Sequence, residues 1–368
     1  MLMITHACNL NCTYCYESFK SSNMMDSELA KSILLKELEF IKNSTDFDEL
    51  EVDFMGGEPL LNFSLIKHVV EWFENINQEV PYVFFTTTNG TLMTNEIETW
   101  IRLRKNRFIM SLSYDGTPEM QMENRGKNNM IRPIFFKETW PFQPLKMTLS
   151  QETLSTFASG VIALQRQGYA VDAVLAQGIS WTKKDAKEFR NQLSILKEFY
   201  LCEREFKPID ILAKSLKGLC LSDQYQCKFC GSGTHMITYD TDGEAYPCHM
   251  FTPLVLGKHA LKLSESTLAD TATLSDSGCD PCILRQWCPT CYGFNLRYRN
   301  NLHERDKTWC IMMQEHVQAV CEFQIEYYHQ RIDELKAEDM LELEILINAS
   351  RLIHGSTSII PNHSTLPN

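Results

Sequence analysis

The chain has 368 residues, 44% of them hydrophobic and 22% charged, with a formal net charge of −12. That is length enough for two domains and a sizeable core, at an ordinary globular balance. The acidic balance argues against nucleic acid and anionic membrane as partners, no stretch approaches the roughly 18 apolar residues of a membrane span, and the start lacks the basic and apolar regions of a secretory signal.

The first residues, Met1–Thr5, read as a buried strand. Directly after them come Cys8, Cys12 and Cys15 in the order C-x3-C-x2-C. Three thiols at this spacing can converge on one face of a tight loop, but they leave a fourth tetrahedral corner to another ligand. A helix over Asp26–Lys42 opens on a capping Asp. The second strand, Glu51–Met55, runs into the turn Met55–Pro59, MGGEP, and the segment Ser64–Asn77 then carries Ile66, Val69, Val70 and Phe73 on one helical face. A third strand, Tyr82–Thr87, ends in TTTNG (Thr86–Gly90) and is followed by a helical pattern over Thr91–Lys105. The fourth, Phe108–Ser113, ends in SLSYDG (Ser111–Gly116). The segment Gln121–Trp140 begins polar and shows no clear period, which reads as an ordinary loop, with a lid as the alternative. Leu145–Leu149 and Val171–Gly178 supply a fifth and a sixth strand, with helices over Ser150–Gln167 and Thr182–Tyr200.

Strand–helix alternation of this kind implies a parallel sheet in an open or partial barrel. The ligand site of such folds gathers at the C-terminal ends of the strands. The cysteine loop, MGGEP, TTTNG and SLSYDG all fall on that rim. Each alone is weak, since Gly56-Gly57 serves equally as a turn and Ser-Tyr-Asp-Gly as the start of a loop. Together, with three thiols among them, they mark a site.

Fourteen cysteines occur in all, and none lies between Cys15 and Cys202. C-x2-C pairs stand at 12/15, 227/230, 279/282 and 288/291, with Cys248 and Cys310 nearby. In a chain without a secretory signal this layout reads as metal sites in two modules rather than as disulfides. Structural zinc is the plainer alternative for the C-terminal set. Between Cys230 and Cys248, MITYDTDGEAYP reads as a hairpin turning at Asp242-Gly243. Trp309–Ile347 is helical in pattern, with Met312, Val317, Val320 and Phe323 at helical spacing, and the polar tail HGSTSIIPNHSTLPN reads as disordered.

The C-x3-C-x2-C motif with Tyr14 before its last cysteine, followed by GGEP at the second strand, resembles the radical S-adenosylmethionine (SAM) enzymes. That resemblance implies an α/β fold in which residues 1–200 form a partial (β/α)6 TIM-like barrel. It implies that Cys8, Cys12 and Cys15 hold a [4Fe–4S] cluster whose open iron is chelated by SAM, and thiolates suit such clusters. Carried over position by position, Tyr14 would lean on the adenine through its backbone. Gly57 and Glu58 would meet the methionine amino group, with Gly56 allowing close approach. Asn89 and Ser113 join the SAM contacts by the same resemblance, and Arg125, twelve residues after Ser113, would take the carboxylate through its planar fork. Asp115 either contacts the cofactor or serves the loop's own geometry. Leu175 either packs on adenine or belongs to the core.

The C-terminal third resembles the SPASM domain, placed with its linker at residues 201–325, ahead of a C-terminal helix (326–353) and the tail (354–368). That resemblance implies a small cysteine-rich module with a β-hairpin and helices, holding two auxiliary [4Fe–4S] clusters. Cys227, Cys230, Cys248 and Cys291 would hold the first, and Cys279, Cys282, Cys288 and Cys310 the second. The family spaces its last pair as C-x3-C, whereas Cys288-Pro-Thr-Cys291 is one residue shorter. The assignment within this stretch stays open, and Cys220 could replace Cys227. Cys202 and Cys321 read as buried free thiols.

What the resemblance implies for function is a peptide maturase. A radical generated from SAM would abstract hydrogen from a ribosomally made precursor peptide and form a thioether or carbon–carbon cross-link, with flavodoxin or ferredoxin as electron donor. Because the chain begins at its first strand, leader recognition falls to the barrel–SPASM surface or to a separate leader-binding protein. The opening MITHACNLNCTYCYE resembles the subgroup associated with Cys-x-x-x repeat peptides. Sulfatase-maturating relatives, the alternative, place an Asp after the cysteine of the G-x4-C motif. Here that position is His249, whose imidazole could serve as the base. An iron–sulfur electron carrier or scaffold is the non-enzymatic alternative, although a carrier needs no open iron. Oxygen-labile clusters point to the cytoplasm of an anaerobic organism.

Overall fold

The strands read from the sequence form as β1 (Leu2–Thr5), β2 (Leu50–Gly56), β3 (Tyr82–Thr88), β4 (Phe108–Leu112), β5 (Leu145–Leu149) and β6 (Val171–Leu175). They are seen in a computed structural model that describes residues 1–76, 79–126, 131–221, 228–269, 274–337 and 339–355. Between the strands run α1 (Ser27–Lys42), α2 (Phe63–Ile76), α3 (Asn95–Arg102), α4 (Pro118–Arg125), α5 (Pro133–Thr139) and α6 (Phe157–Arg166). After β6 come α7 (Lys183–Cys202) and the single turn α8 (Asp210–Ala213). The later elements are the two-residue strands β7 (Thr238–Tyr239) and β8 (Ala245–Tyr246), then α9 (Pro253–Leu256), α10 (Tyr292–Arg299), α11 (Lys307–His329) and α12 (Asp339–Gly355).

The chain divides into two compact units. The first comprises Met1–Tyr114, Arg125–Lys146 and Gly231–Ala269; the second comprises Asp115–Asn124, Met147–Cys230 and Asp270–Asn368. In the first unit β1 to β4 are parallel neighbours in the order β4-β3-β2-β1, so their C-terminal ends share one rim. Phe54, Phe84 and Phe108 stack on the face that meets the helices, with centroids 5.7 Å and 6.2 Å apart between successive rings. Phe73 of α2 meets Phe84 edge-on at 5.6 Å, and Trp100 of α3 meets Phe108 likewise at 5.5 Å. Aromatic pairs in this geometry add about 0.5–1.5 kcal/mol each beyond their burial. The capping Asp of α1 is Asp26, whose carboxylate accepts from the N–H groups of Glu28 and Leu29.

The expected hairpin also forms, with Gly243 at its turn in the left-handed region (φ 84°). It belongs to the first unit, where β7 pairs in parallel with β1 through Leu2 and Tyr239. β1 would otherwise present a bare edge, and this pairing covers it. The N-terminal amine fixes the join by donating to the Ile237 carbonyl at 2.8 Å.

β5 and β6 pair with each other in a separate ladder. In the second unit α7 packs along α11, through Phe189 on His316 and Tyr200 on Phe323. α7 starts on a capping box in which Thr182 and Asp185 exchange hydrogen bonds.

Two segments differ from the sequence reading. Gln121–Trp140, read as a loop, contains the end of α4 and all of α5. Pro133 starts α5 and Phe135 and Phe136 bury it, but seven residues are too few to show a period. The single helical run over Trp309–Ile347 is two helices, with a 3-10 turn at Ile332–Glu334 between α11 and α12. The tail beyond residue 355 lies outside the described residues. Among the described residues no helix is long and apolar enough to cross a membrane.

Candidate active site and cysteine cavity

The first unit brings the cysteine loop and the motifs after β2 and β3 together through backbone hydrogen bonds. The N–H of Gly57 donates to Thr5 O at 3.1 Å and that of Glu58 to Ala7 O at 2.8 Å, so the glycine pair runs alongside the chain entering Cys8. A Cβ on Gly57 would stand 2.4 Å from the Ala7 carbonyl oxygen and 2.9 Å from Cys8 Cβ. One on Gly56 would stand 2.4 Å from the Thr5 carbonyl oxygen. Only glycine fits at either position.

Glu58 is buried, and both its carboxylate oxygens are engaged within the chain. Oε1 accepts from Thr88 Oγ1 (2.7 Å) and Leu60 N (3.1 Å), and Oε2 from Asn89 N (2.8 Å). Burial pushes its pKa up, while these hydrogen bonds and the charge of Arg125 work against the rise. The side chain therefore braces the GGEP turn against the end of β3. Asn89 is likewise committed. Its Nδ2 donates to Asn9 Oδ1 at 2.9 Å, and its Oδ1 accepts from Thr91 N and Thr91 Oγ1. Asn9 Nδ2 closes the network on Thr91 Oγ1 at 2.8 Å. Asn9 lies between Cys8 and Cys12, so this network clamps the cysteine loop itself.

Arg125, buried at the end of α4, holds its guanidinium 5.4 Å from the centre of the Tyr14 ring. Ser113 donates its N–H to Thr88 O at 2.9 Å and bridges in parallel to Lys146. The three N-terminal thiols are half-buried, and burial pushes the Cys8 thiol up. A thiol so placed ionises readily only when a cation binds it, as an iron ligand must. The soft donor set and the glycine cradle both fit a cluster on this loop.

His249 packs its ring on Tyr16 at 5.7 Å, beside the same loop. The residue is partly exposed, yet its Nδ1 is sealed from solvent and meets no partner among the described residues. Burial lowers its pKa to about 4, which leaves the imidazole neutral and weakly basic. Two residues near the loop carry no signal in the motif reading. Glu17 is buried and its carboxyl is pushed up to about 7 by that burial, with Lys20 opposing. His6 pairs with Asp240 of the hairpin at 2.6 Å.

Asp115 and Leu175 belong to the second unit. Asp115 is fully buried; Oδ1 accepts from Thr148 N (2.9 Å) and Oδ2 from Asn124 Nδ2 (3.1 Å). Asn124 continues the network by accepting from Ser150 Oγ at 2.6 Å. Of the two readings given to Asp115, loop geometry is the one these bonds support. Leu175 closes β6 and is buried.

The second unit gathers most of the remaining cysteines. Cys279, Cys282, Cys288, Cys291 and Cys310 line one cavity. Burial pushes Cys288 and Cys310 up to about 12, and the nearby thiols Cys279 and Cys282 add to the rise at both. Cys291 is also raised, first by burial, with Cys230 among its neighbours. Among the described residues no three His, Cys, Asp or Glu side chains converge tightly enough for a single metal ion, so the five thiols line the cavity without meeting at one point. Cys248 is buried and belongs to the first unit. Cys227 lies outside the described residues. Cys220 faces the Ile345 carbonyl oxygen of α12 at 3.7 Å. Cys321 is buried as expected, whereas Cys202 is exposed, because at the end of α7 the buried face falls to Tyr200 and Leu201.

Comparisons with known proteins agree with this site. Residues 1–129 match the family model of a 4Fe-4S single cluster domain. The chain is 25% identical over 190 residues to the radical SAM cyclopropyl synthase TigE of Paramaledivibacter caminithermalis, covering 47% of this chain and 39% of that protein. It is 23% identical over 281 residues to a cysteine-type anaerobic sulfatase-maturating enzyme of Clostridium novyi, covering 66% of this chain and 71% of that enzyme. The matched stretch spans about two fifths of the length of the first curated relatives. Among solved structures, native anSMEcpe with bound AdoMet and Kp18Cys peptide superposes at a TM-score of 0.67 with 19% identity, over 90% of this chain and 99% of that one. With three thiols clamped against a glycine cradle on the rim of a parallel α/β sheet, the chain is similar to radical SAM proteins over part of its length and has the fold of the anSMEcpe structure.

Proposed function

We propose that this chain is a radical SAM peptide maturase that cross-links a ribosomally made precursor through a thioether or carbon–carbon bond. The observation that carries the reading is the packing of Gly57 against Ala7 and Cys8, with Arg125 over Tyr14 in the same unit. Cys8, Cys12 and Cys15 would hold the cluster, Arg125 would grip the carboxylate of SAM, and the backbone at Gly57 would approach its amino group. Asn89 and Glu58 hold that loop in place, and Ser113 and Tyr14 border it. When bound, the cluster supplies the electron that cleaves SAM to methionine and a 5′-deoxyadenosyl radical able to take a hydrogen atom from the substrate. The protein's share is orientation and exclusion of water.

In the cysteine-rich part, the reading assigns Cys279, Cys282, Cys288 and Cys310 to one auxiliary cluster, and Cys230, Cys248 and Cys291 with Cys227 or Cys220 to the other. The similarity to TigE, named as a cyclopropyl synthase, favours carbon–carbon closure over thioether formation. The partners proposed are a precursor peptide of the Cys-x-x-x repeat type and an electron donor such as flavodoxin or ferredoxin, with any leader recognised by the chain's own surface or by a separate protein. A sulfatase-maturating activity is the second reading, favoured by the similarity to the Clostridium novyi enzyme, and it would put His249 in the role of base. The low basicity of His249 weighs against it.

The test is anaerobic reconstitution of the full chain beside the Cys8→Ala/Cys12→Ala/Cys15→Ala variant, with iron and 5′-deoxyadenosine measured on both. About twelve iron per chain falling to about eight, with deoxyadenosine lost, is the expected result for three four-iron clusters. Iron near four in the wild type, with zinc making up the rest, would remove the auxiliary clusters from the proposal. Incubation with a Cys-x-x-x repeat peptide and with a cysteine-containing sulfatase peptide then separates the readings. Loss of two hydrogens from the first supports the cross-link, and an aldehyde on the second supports sulfatase maturation.

A further inference from the structure

The cavity lined by the five cysteines is also lined by Arg305 and Trp309. Each of these residues carries a buried N–H, Nε of Arg305 and Nε1 of Trp309, that meets no acceptor among the described residues. Native interiors rarely leave such donors unsatisfied, and each one that remains needs an explanation. Neither side chain is loosely placed. Arg305 Nη1 donates to the carbonyls of Arg285 (3.2 Å) and Cys288 (3.1 Å), its backbone N–H donates to Asp276 Oδ2 (2.8 Å), and its guanidinium lies 5.1 Å from the Phe229 ring centre. Trp309 precedes Cys310 in the first turn of α11.

The guanidinium of Arg305 is a fixed positive charge on the wall of the cavity that Cys279, Cys282 and Cys288 line. Other cations near these thiols are paired with carboxylates: Lys307 with Asp276 Oδ2 at 3.1 Å, Arg285 with Asp280 Oδ1 at 3.1 Å and Arg299 with Asp306 Oδ2 at 3.6 Å. Among the acceptors on the wall of this cavity are the sulfurs of five cysteines. Hydrogen bonds to the sulfurs and nearby charge are the levers by which a protein sets a cluster's reduction potential.

We propose that Arg305 and Trp309 donate hydrogen bonds to the sulfurs of the auxiliary cluster held by Cys279, Cys282, Cys288 and Cys310, and thereby raise its reduction potential. This rests on the auxiliary-cluster assignment made above. One electron from a low-potential reductant adds one negative charge at the thiolate site without breaking or forming a covalent bond. A fixed cation and two N–H dipoles favour that added charge, so removing them makes reduction harder. Both residues are tuning groups rather than catalytic ones, and the readout is a potential rather than a rate.

The experiment is a redox titration with dithionite, followed by electron paramagnetic resonance, on the anaerobically reconstituted full chain lacking Cys8, Cys12 and Cys15. Arg305→Gln, Arg305→Lys, Trp309→Phe and Cys288→Ala are compared. At the unmodified midpoint, Arg305→Gln is expected to change the oxidised-to-reduced ratio of one cluster from one to about ten, a downward shift of about 59 mV for one electron. Trp309→Phe is expected to lower the same midpoint by less, and Arg305→Lys to fall between Arg305→Gln and the unmodified chain. Unshifted midpoints in variants that retain full iron overturn the proposal and leave the cluster assignment standing. Full iron in Cys288→Ala overturns the assignment, and the proposal falls with it. If Arg305→Gln loses iron, Trp309→Phe decides, because its side chain makes none of the backbone bonds that anchor Arg305.

Discussion

His6 and Asp240 stand 234 positions apart in the sequence, yet Nε2 of His6 lies 2.6 Å from Oδ1 of Asp240 and both are buried. The pair joins the chain entering the cysteine loop to the hairpin that covers the edge of β1. The backbone adds a second link there, because Tyr239 donates its N–H to Met1 O at 3.0 Å. Removing one partner leaves the other as an unsatisfied polar group in the interior, which typically destabilises by about 1–3 kcal/mol. Asp240→Leu is expected to lower the unfolding free energy by that much, as a lower urea midpoint at unchanged slope, and to make iron leave the N-terminal loop faster than any held by the proposed auxiliary ligands. A midpoint within error of the wild type would mean that the pair contributes nothing to the join.

Gly57 leads to a sharper expectation. A methyl group there meets the Ala7 carbonyl oxygen at 2.4 Å, a contact with backbone rather than with a flexible side chain. Gly57→Ala must therefore push the chain before Cys8 out of position. The expected result is loss of about four iron from the N-terminal loop with the auxiliary iron retained. Far-ultraviolet circular dichroism should be unchanged, since the shift is local. Full iron and normal SAM binding in this variant would show that the cradle has room to spare.

The sequence displayed the strands because each is a short apolar or β-branched run, and it displayed the cysteine loop because its spacing is local. What it could not display was pairing across distance. Nothing in the order of residues announces that Asn89 reaches Asn9, that His6 reaches Asp240, or that Arg305 and Trp309 bring unpartnered N–H groups to the cysteine cavity. Glu58 was legible as part of a motif, but its role in bracing Thr88 and Asn89 was not, since the acceptor pattern exists only once β2 and β3 are parallel. The short helix α5 escaped because two turns carry too little period. Cys202 was misread because a helix terminus, unlike a helix middle, has no fixed buried face for a terminal residue to follow.

Arg125 is the residue whose replacement separates charge from shape. Its guanidinium is buried over Tyr14 and its charge is felt at Glu58. If it grips a carboxylate in two-point fashion, lysine keeps the charge but loses the fork. Arg125→Lys is therefore expected to weaken SAM binding about tenfold, equivalent to about 1.4 kcal/mol, while iron content stays at the wild-type value. Equilibrium dialysis with labelled SAM measures the first and iron analysis the second. Equal affinity in the two proteins would reassign Arg125 to packing on Tyr14 alone.

The acid side of stability is set in part by His316 in the second unit. Its Nε2–H donates to the Ile211 carbonyl at 2.5 Å, its ring packs against Trp287 and Phe189, and its Nδ1 is buried with no partner among the described residues. Burial lowers its pKa from 6.5 to about 4, with the Ile211 bond opposing and the charge of Lys214 adding to the fall. The folded chain thus keeps this imidazole neutral at pH values where the unfolded chain would protonate it. Between pH 6.5 and about 4 the unfolded state binds the extra proton, so the stability His316 contributes is complete above pH 6.5 and declines as pH falls through that window. The slope approaches about 1.4 kcal/mol per pH unit at most. His316→Gln keeps a donor for Ile211 and cannot titrate, so its stability difference from the wild type should shrink steadily from pH 7 to pH 5 in urea unfolding, whatever the clusters do in both proteins. Parallel curves for the two proteins over that range would show that His316 is solvated well enough to titrate normally in the fold.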